Sequence, residues 1–159
     1  MEPRIESSNE KKFAGKRLTM SFADNLTREL WQSFMPVRGE IANVVGTELY
    51  SMEVYPPGFF EAFDPNIKFE KWAAVEVTSF DNLPEGLETL TAPAGLYAVF
   101  LHRGPASEAI ITYTYIFQTW LPASEYRLDN RPHFAVMGEK YKNEEPDSEE
   151  EIWIPVVRT

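Results

Sequence analysis

The chain has 159 residues and a formal net charge of −10 at pH 7. This length predicts one domain with a sizeable core, and the acidic balance argues against direct binding of nucleic acid, which needs a basic face. The absence of cysteine excludes disulfides, cysteine-based zinc sites and thiol catalysis. The sequence shows neither a signal peptide nor an apolar run of membrane-spanning length, so we expect a cytoplasmic protein that does not enter a membrane.

The first half of the chain predicts strands around one helix. Residues 4–20 are extended, as two short strands or one bent strand, with a bulge expected at Gly15. Residues 21–35 predict a helix that Pro36 closes, because apolar side chains recur at three- and four-residue spacing. Residues 38–47 leave open a second short helical turn. The remaining strands predicted for this half are residues 48–55 and 69–77.

The second half repeats this order of elements. Residues 106–121 have helical spacing up to Pro122, although they are rich in β-branched side chains. Two apolar runs follow, with the acidic stretch 142–151 between them, which we predict to be the exposed tip of a hairpin that turns at residues 146–148. The two extended runs that precede the helix are residues 87–93 and 95–104.

Short matches between the halves indicate a duplication. LWQSFMP at 30–36 corresponds to IFQTWLP at 116–122, and EKWAAVEV at 70–77 corresponds to EEIWIPVV at 150–157. We therefore predict an α+β fold made of two strand-helix-strand-strand units, about residues 1–80 and 88–159. The units would form an antiparallel sheet with a central groove, and the helices would pack on the face opposite to that groove.

The residues from 97 onwards resemble a known family. YAVFLHRGP at 97–105 and TWLPASEYRLDNRPHFAVMGEKYKNEEPDSEEEIWIPV at 119–156 look like the GyrI-like, or AraC-type effector-binding, domains, as a stand-alone member. The resemblance implies a duplicated α+β fold with a groove for bulky, often cationic or aromatic compounds, as in multidrug binding and transcription regulation in bacteria. Some stand-alone members resemble hydrolases of strained cyclopropane compounds.

One departure from the family pattern concerns its acidic residue. Relatives commonly have Phe-Glu-x-Tyr in the strand after RPHF or its equivalent, whereas this chain has Phe134, Ala135, Val136 and Met137. The acid associated with cation binding is thus missing at Ala135, and a softer side chain replaces the aromatic one. Glu76, in the other half, is the candidate to supply the charge.

The expected ligand site is mainly aromatic. Aromatic residues make up 14% of the chain, and their faces stack on rings and attract cations. For Trp72 and Trp153 a pocket and a core position are equally favoured, whereas Trp31, Phe34 and Phe117 are expected in the core. The predicted ligand-binding residues are Trp72, Glu76, Tyr97, Tyr113, Met137 and Trp153.

Three functions remain open on the sequence alone. The favoured one is a binder of a hydrophobic, aromatic or cationic small molecule that works as a sensor or sequestering module. The second is a hydrolase of a reactive small molecule, with Glu76 as the weak catalytic candidate. The third is a protein-interaction module for a regulator or topoisomerase, which no motif supports. Neither His102 nor His133 lies in a metal-binding motif, so no metal or cofactor is expected.

Overall fold

The computed structural model describes residues 1–62 and 64–159, which form nine strands in one antiparallel sheet. The predicted antiparallel α+β architecture is confirmed, and β4 has the bounds that the alternation of its side chains predicted. The strands are β1 Arg4–Ser8, β2 Lys11–Met20, β3 Leu49–Val54, β4 Phe69–Val77, β5 Glu88–Ala92, β6 Gly95–Arg103, β7 Tyr126–Leu128, β8 His133–Met137 and β9 Glu149–Arg158.

The strand order has the same pattern on either side of its centre. The order is β1-β6-β9-β8-β3-β4-β2-β5, and β7 pairs with β9. Strands β3 and β8 pair at the centre of the sheet, and their junction is called the β3–β8 seam. Strands β2, β4 and β3 on one side of this seam correspond to β6, β9 and β8 on the other. The outer strands come from the opposite ends of the sequence, since β1 pairs with β6 and β5 pairs with β2. β3 comes from the first half of the chain and β8 from the second, so the two halves meet at the β3–β8 seam.

Two helical segments lie against the sheet. Helix α1 spans Thr27–Arg38, and the Asn25 side chain accepts a hydrogen bond from the Thr27 N–H at 3.0 Å. Pro36 lies within the last turn of α1, where its missing N–H does not stop the helix at once. The connection that follows α1 contains no further helix among its described residues, and Val44 instead forms an isolated bridge with Val77.

The second helical segment is continuous but changes its winding. It comprises a 3-10 turn at Ala106–Glu108, α2 at Ala109–Tyr115, a π-helical turn at Ile116–Trp120 and α3 at Leu121–Ala123. Single π-helical turns inside α-helices occur often at functional sites. The segment fulfils the predicted helix over residues 106–121 and extends slightly beyond Pro122.

The two faces of the sheet are packed differently. On one face, α1 packs on β2 and β4, and the second helical segment packs on β6 and β9, so two separate clusters lie side by side. On the opposite face lies a third cluster, whose buried members are all on strands: Phe13, Tyr50, Met52, Trp72, Ala74, Ala92, Tyr97, Val99 and Phe134. The Phe134 ring has its centroid 6.1 Å from that of Phe13 on β2 and 5.2 Å from that of Tyr97 on β6. In the strand order β2 and β6 are five spacings apart, which is about 24 Å in a flat sheet. The sheet is therefore strongly curved around this third cluster.

Gly15 allows close strand packing and does not form the predicted bulge. The pairing of β2 with β4 runs without interruption through Gly15 and Ala74. A Cβ at Gly15 would collide with the Ala73 carbonyl oxygen and would lie 2.8 Å from the Ala74 Cα. The glycine is thus required by the approach of the neighbouring backbone.

Within residues 1–62 and 64–159, every helix is too short or too polar to cross a bilayer.

Candidate ligand-binding groove

A large groove lies between the two helical segments, above the β3–β8 seam. Its volume is about 1830 Å³, and its lining includes alternate residues of both strands together with side chains of α1 and α2. The helices therefore form the walls of the groove, whereas we had predicted them on the face opposite to it. The reason is that the two helices pack on separate clusters and leave the centre of the sheet uncovered between them.

Three residue pairs across the seam form the centre of the groove floor. In the antiparallel pairing of β3 with β8, Leu49 faces Met137, Ser51 faces Ala135 and Glu53 faces His133. Side chains at alternate positions of a strand share a face, and all six of these residues line the groove. The small side chains of Ser51 and Ala135 keep the middle of the floor low.

Glu53 is a buried carboxyl group on this floor. It is 7% exposed, and burial raises its pKa from 4.5 to about 7, against the opposing influence of Lys71 and with a further increase from Glu150. None of the ion pairs or side-chain hydrogen bonds found among the described residues involves Glu53. A buried carboxylate without a partner is costly, so this group favours either a proton or a bound cation.

Glu53 occupies the position that corresponds to Ala135 in the other half. Met52 pairs with Phe134 at the centre of the seam, and these two residues also pair with Trp72 and Trp153 respectively. The strand pairing is symmetric about Met52 and Phe134, so Glu53 corresponds to Ala135 and Tyr55 to Met137. The Glu-x-Tyr pattern missing from β8 is therefore present at residues 53–55.

Aromatic and apolar side chains form the walls. Trp31 and Met35 project from α1, and Tyr113 and Phe117 project from the second helical segment. Trp31 and Phe117 were expected in the core, yet both line the groove while they pack on the clusters beneath them. Burial raises the pKa of Tyr113 well above its ordinary value, and the charges of Glu53 and Glu150 add to this increase. Tyr113 is therefore a neutral phenol within electrostatic range of both acids.

The lining of the groove includes an aromatic cluster that joins the two halves. The ring of Phe60, from the connection between β3 and β4, stacks on Phe117 at 4.5 Å and on His133 at 5.7 Å. Tyr55 contacts His133 edge-on at 4.9 Å. Burial, together with the positive charge of Arg131, lowers the pKa of His133 to about 3, so this imidazole is neutral at physiological pH. The cluster offers π faces and no positive charge.

The acidic connection between β8 and β9 contributes to the rim of the groove. The Ala106 N–H donates to the Asn143 carbonyl oxygen at 2.8 Å. Ser107 donates to the Glu144 carboxylate through its N–H at 3.1 Å and through its hydroxyl at 2.6 Å. Tyr141, Asn143 and Glu144 line the groove. Most of this stretch is exposed, as predicted, but it is also fixed to the start of the second helical segment.

Two of the predicted ligand-binding residues lie in the groove, and four lie on the opposite face of the sheet. Tyr113 and Met137 line the groove. Trp72 and Tyr97 are 2% and 1% exposed in the third cluster. Trp153 stacks on Phe134 with ring centroids 5.3 Å apart. The expected cavity shared by Trp72, Glu76 and Trp153 is thus absent from the described structure, because that face is filled by its own side chains.

Glu76 differs from Glu53 in its surroundings. It lies on the face of the third cluster, opposite Phe13 in the strand pairing, and its carboxylate is 3.7 Å from Lys11 Nζ. Its side chain is 18% exposed. Glu76 therefore has a cationic partner outside the groove, whereas Glu53 lies on the groove floor.

The other histidine, His102, lies outside the groove lining and connects two elements of the fold. His102 is 5% exposed, and its ring nitrogens lie 2.8 Å from Thr112 Oγ1 and 3.1 Å from the Pro105 carbonyl oxygen. These contacts tie β6 to α2. Among the described residues, no three histidine, aspartate or glutamate side chains are grouped so that they could hold a metal ion.

Glu53→Gln is expected to change how stability depends on pH. Because folding raises the pKa of Glu53 from 4.5 to about 7, its contribution to the free energy of unfolding falls as the pH rises through that interval. Glutamine does not ionise. The free energy of unfolding of the variant, relative to that of the wild type, should therefore rise by up to about 3 kcal/mol between about pH 5 and pH 8. Urea unfolding of both proteins measures the difference, in which the contribution of His133 cancels. A difference that stays constant with pH would contradict the burial of Glu53.

An antiparallel sheet with two helices on one face, and an aromatic groove with a buried acid between them, is the architecture of a small-molecule-binding domain. The model of the family described as the GyrI-like small molecule binding domain matches residues 1–157. The chain belongs to the GyrI-like family, and the resemblance noted in its sequence is confirmed.

A curated relative is a transcription regulator. The transcriptional regulator BrlR of Pseudomonas aeruginosa is 27% identical to this chain over 129 residues. The match covers 80% of the chain and 45% of BrlR. The chain therefore spans less than half the length of this relative.

Solved structures with the same fold include proteins of different description. The structure of SAV2435 bound to tetraphenylphosphonium has a TM-score of 0.74 and 17% identity, and the match covers 99% of this chain and 94% of that one. The EcmrR C-terminal domain has a TM-score of 0.71 and 17% identity, with 99% and 98% covered. A hydrolase encoded by lin2189 from Listeria innocua has a TM-score of 0.57 and 13% identity, with 98% and 92% covered. At these identities the likeness concerns the fold.

Proposed function

We propose that the groove binds a bulky aromatic or lipophilic cation, with Glu53 as its counter-ion. The observation that carries this proposal is a buried carboxyl group without an ion-pair partner among the described residues, on the floor of a groove with aromatic walls. A cation placed there is attracted by the carboxylate and by the aromatic faces. Each aromatic face contributes about 0.5–2 kcal/mol. It also relieves the cost of the buried charge.

Three further observations support this choice of ligand. His133 is neutral on the groove floor, so it does not repel a cation placed next to Glu53. Residues 53–55 also supply the Glu-x-Tyr pattern that relatives commonly carry on the corresponding strand of the other half. SAV2435 was solved with tetraphenylphosphonium, a bulky aromatic cation, and we infer a ligand of the same chemical class for this chain.

Titration with tetraphenylphosphonium tests the proposal. Trp31 lies in the wall of the groove, so saturable binding should change tryptophan fluorescence, and Trp31→Phe should remove most of that change. A neutral analogue of similar size, such as tetraphenylmethane made soluble with a polar substituent, is the matched ligand control. If a folded protein shows no saturable response to the cation, the proposed function is wrong.

The biological role proposed for this binding is that of an effector module. BrlR is named a transcriptional regulator, and the chain matches less than half of it, so a regulatory role belongs here only as a proposal. Helices that form the two walls of a groove can be moved relative to each other by a ligand that contacts both. Hydrogen exchange of α1 and α2, with and without tetraphenylphosphonium, measures this coupling, and protection confined to the sheet would argue against it.

A second candidate function is hydrolysis of a reactive small molecule in the same groove. Glu53 favours it, because a carboxyl group with a pKa of about 7 is suited to transfer protons near neutral pH. A structural neighbour from Listeria innocua is described as a hydrolase. Turnover of an electrophilic cyclopropane compound that is lost in Glu53→Gln and kept in Glu76→Gln would support this function. Binding of such a compound without turnover would leave the first proposal in place.

A further inference from the structure

Lys71 is a positive charge on the groove floor that forms no ion pair with any residue the structure describes. It lines the groove, and its neighbours at alternate positions of β4, Phe69 and Ala73, belong to the cluster under α1. The lysine ion pairs found among the described residues join Lys11 with Glu76 and Lys142 with Asp147. Hydrogen bonds donated by Lys71 Nζ are likewise absent among those residues. Its ammonium group is therefore available within the groove.

Lys71 lies directly opposite Glu53. The two residues are partners in the antiparallel pairing of β3 with β4, and both side chains line the groove. Directly opposite residues on one face have Cβ atoms about 4.5–5.5 Å apart, a separation that long side chains of opposite charge can bridge with an ion pair. The charged groups nevertheless remain more than an ion-pair distance apart in this structure, while Lys71 lies within electrostatic range of Glu53 and Glu150.

A positive group at this place affects the choice of ligand. A simple cation bound to Glu53 would lie close to the Lys71 ammonium group, and the two positive charges would repel each other. A ligand with an anionic group next to its cationic centre would replace this repulsion by a second attraction. Charge-assisted hydrogen bonds from an ammonium group to a carboxylate are among the stronger polar contacts in proteins.

We propose that the preferred ligand is an aromatic zwitterion, whose cationic centre contacts Glu53 and whose carboxylate contacts Lys71. This inference rests on the proposed function, because it uses the same groove and the same role for Glu53. It adds the requirement for a negative group and assigns Lys71 as a residue that determines specificity. Tetraphenylphosphonium, which lacks such a group, would bind with only the first of the two contacts.

Two dyes that differ only in the negative charge test this inference. Rhodamine B is an aromatic zwitterion with a free carboxylate, and its ethyl ester is a cation of nearly the same size and shape. Fluorescence anisotropy gives the dissociation constant of each dye for the wild type, for Lys71→Met and for Glu53→Gln. The control variant is Lys68→Met, because Lys68 is exposed, precedes β4 and lies outside the groove lining.

The expected results separate the two contacts. Lys71→Met should weaken binding of rhodamine B about tenfold and leave binding of the ester unchanged or stronger, whereas Glu53→Gln should weaken both dyes and Lys68→Met neither. Equal effects of Lys71→Met on the two dyes would overturn the inference and leave the proposed function standing. If neither dye binds to the folded wild type while tetraphenylphosphonium does, this inference falls and the proposed function stands; if tetraphenylphosphonium does not bind either, both fall.

Discussion

Glu53→Gln is expected to weaken the binding of tetraphenylphosphonium by about ten- to a hundredfold. The substitution keeps the shape of the side chain and removes the buried carboxylate of the groove floor, which is 7% exposed. The coupling energy of a close pair of opposite charges away from bulk water is about 1.5 kcal/mol or more, and each 1.4 kcal/mol corresponds to a factor of ten in affinity. Isothermal titration calorimetry measures the two dissociation constants.

The control for this prediction is Glu76→Gln. It makes the same chemical change on the opposite face of the sheet, where the carboxylate faces Lys11, and it should leave the affinity within about twofold of the wild type. Wild-type binding should also strengthen as the pH rises through about 7, the pKa of Glu53, because the ionised form binds the cation. Equal losses in the two variants would contradict the assignment of Glu53.

Phe134→Ala is expected to lower the free energy of unfolding by about 3–5 kcal/mol. Phe134 is 2% exposed, and its ring contacts those of Phe13, Tyr50, Tyr97 and Trp153 at centroid distances of 6.1, 5.8, 5.2 and 5.3 Å. Removing the ring leaves a cavity where strands from both halves meet. The curved sheet has little freedom to fill that cavity, because its two sides pack on separate helices.

Guanidinium unfolding of Phe134→Ala and of Leu101→Ala provides the comparison. Leu101 is 48% exposed, so the control should change stability by no more than about 0.5 kcal/mol. A loss below about 1 kcal/mol in Phe134→Ala would show that the third cluster contributes less to the fold than its burial indicates. It would also remove the reason for assigning Trp72 and Trp153 to the core.

The strands and helices could be predicted from the sequence, because their signals are local. The alternation of FEKWAAVEV gave the bounds of β4, and the spacing of apolar residues located both helical segments. The short matches between the halves agree with the strand order about the seam. The helical turn considered for residues 38–47 has no counterpart in the structure, because the backbone there bridges to the end of β4.

The face that carries the groove could not be predicted in the same way. Alternation in β4 divides Trp72 and Glu76 from Lys71 and Ala73, but it does not say which set faces the space between the helices. We assigned that space to the set that contains tryptophan, whereas the curvature of the sheet buries this set against itself. Curvature results from contacts between distant strands, such as that of Phe13 with Phe134.

Glu53 could have been found from the sequence, but only together with the duplication. The Glu-x-Tyr pattern is present at residues 53–55, and the matched halves would have related it to Ala135. Its burial and its lack of a partner depend on the pairing of β3 with β4 and β8. The availability of Lys71 likewise follows from that pairing and not from any feature of its sequence neighbours.

A crystal structure of the protein with tetraphenylphosphonium is the most direct test of the claim that the groove between the helices is the ligand site. We predict that the phosphonium centre lies above the β3–β8 seam between α1 and α2, with Glu53 as its nearest carboxylate and with Trp31 or Tyr113 against a phenyl ring. Ligand bound on the opposite face, next to Trp72, Glu76 and Trp153, would contradict this account.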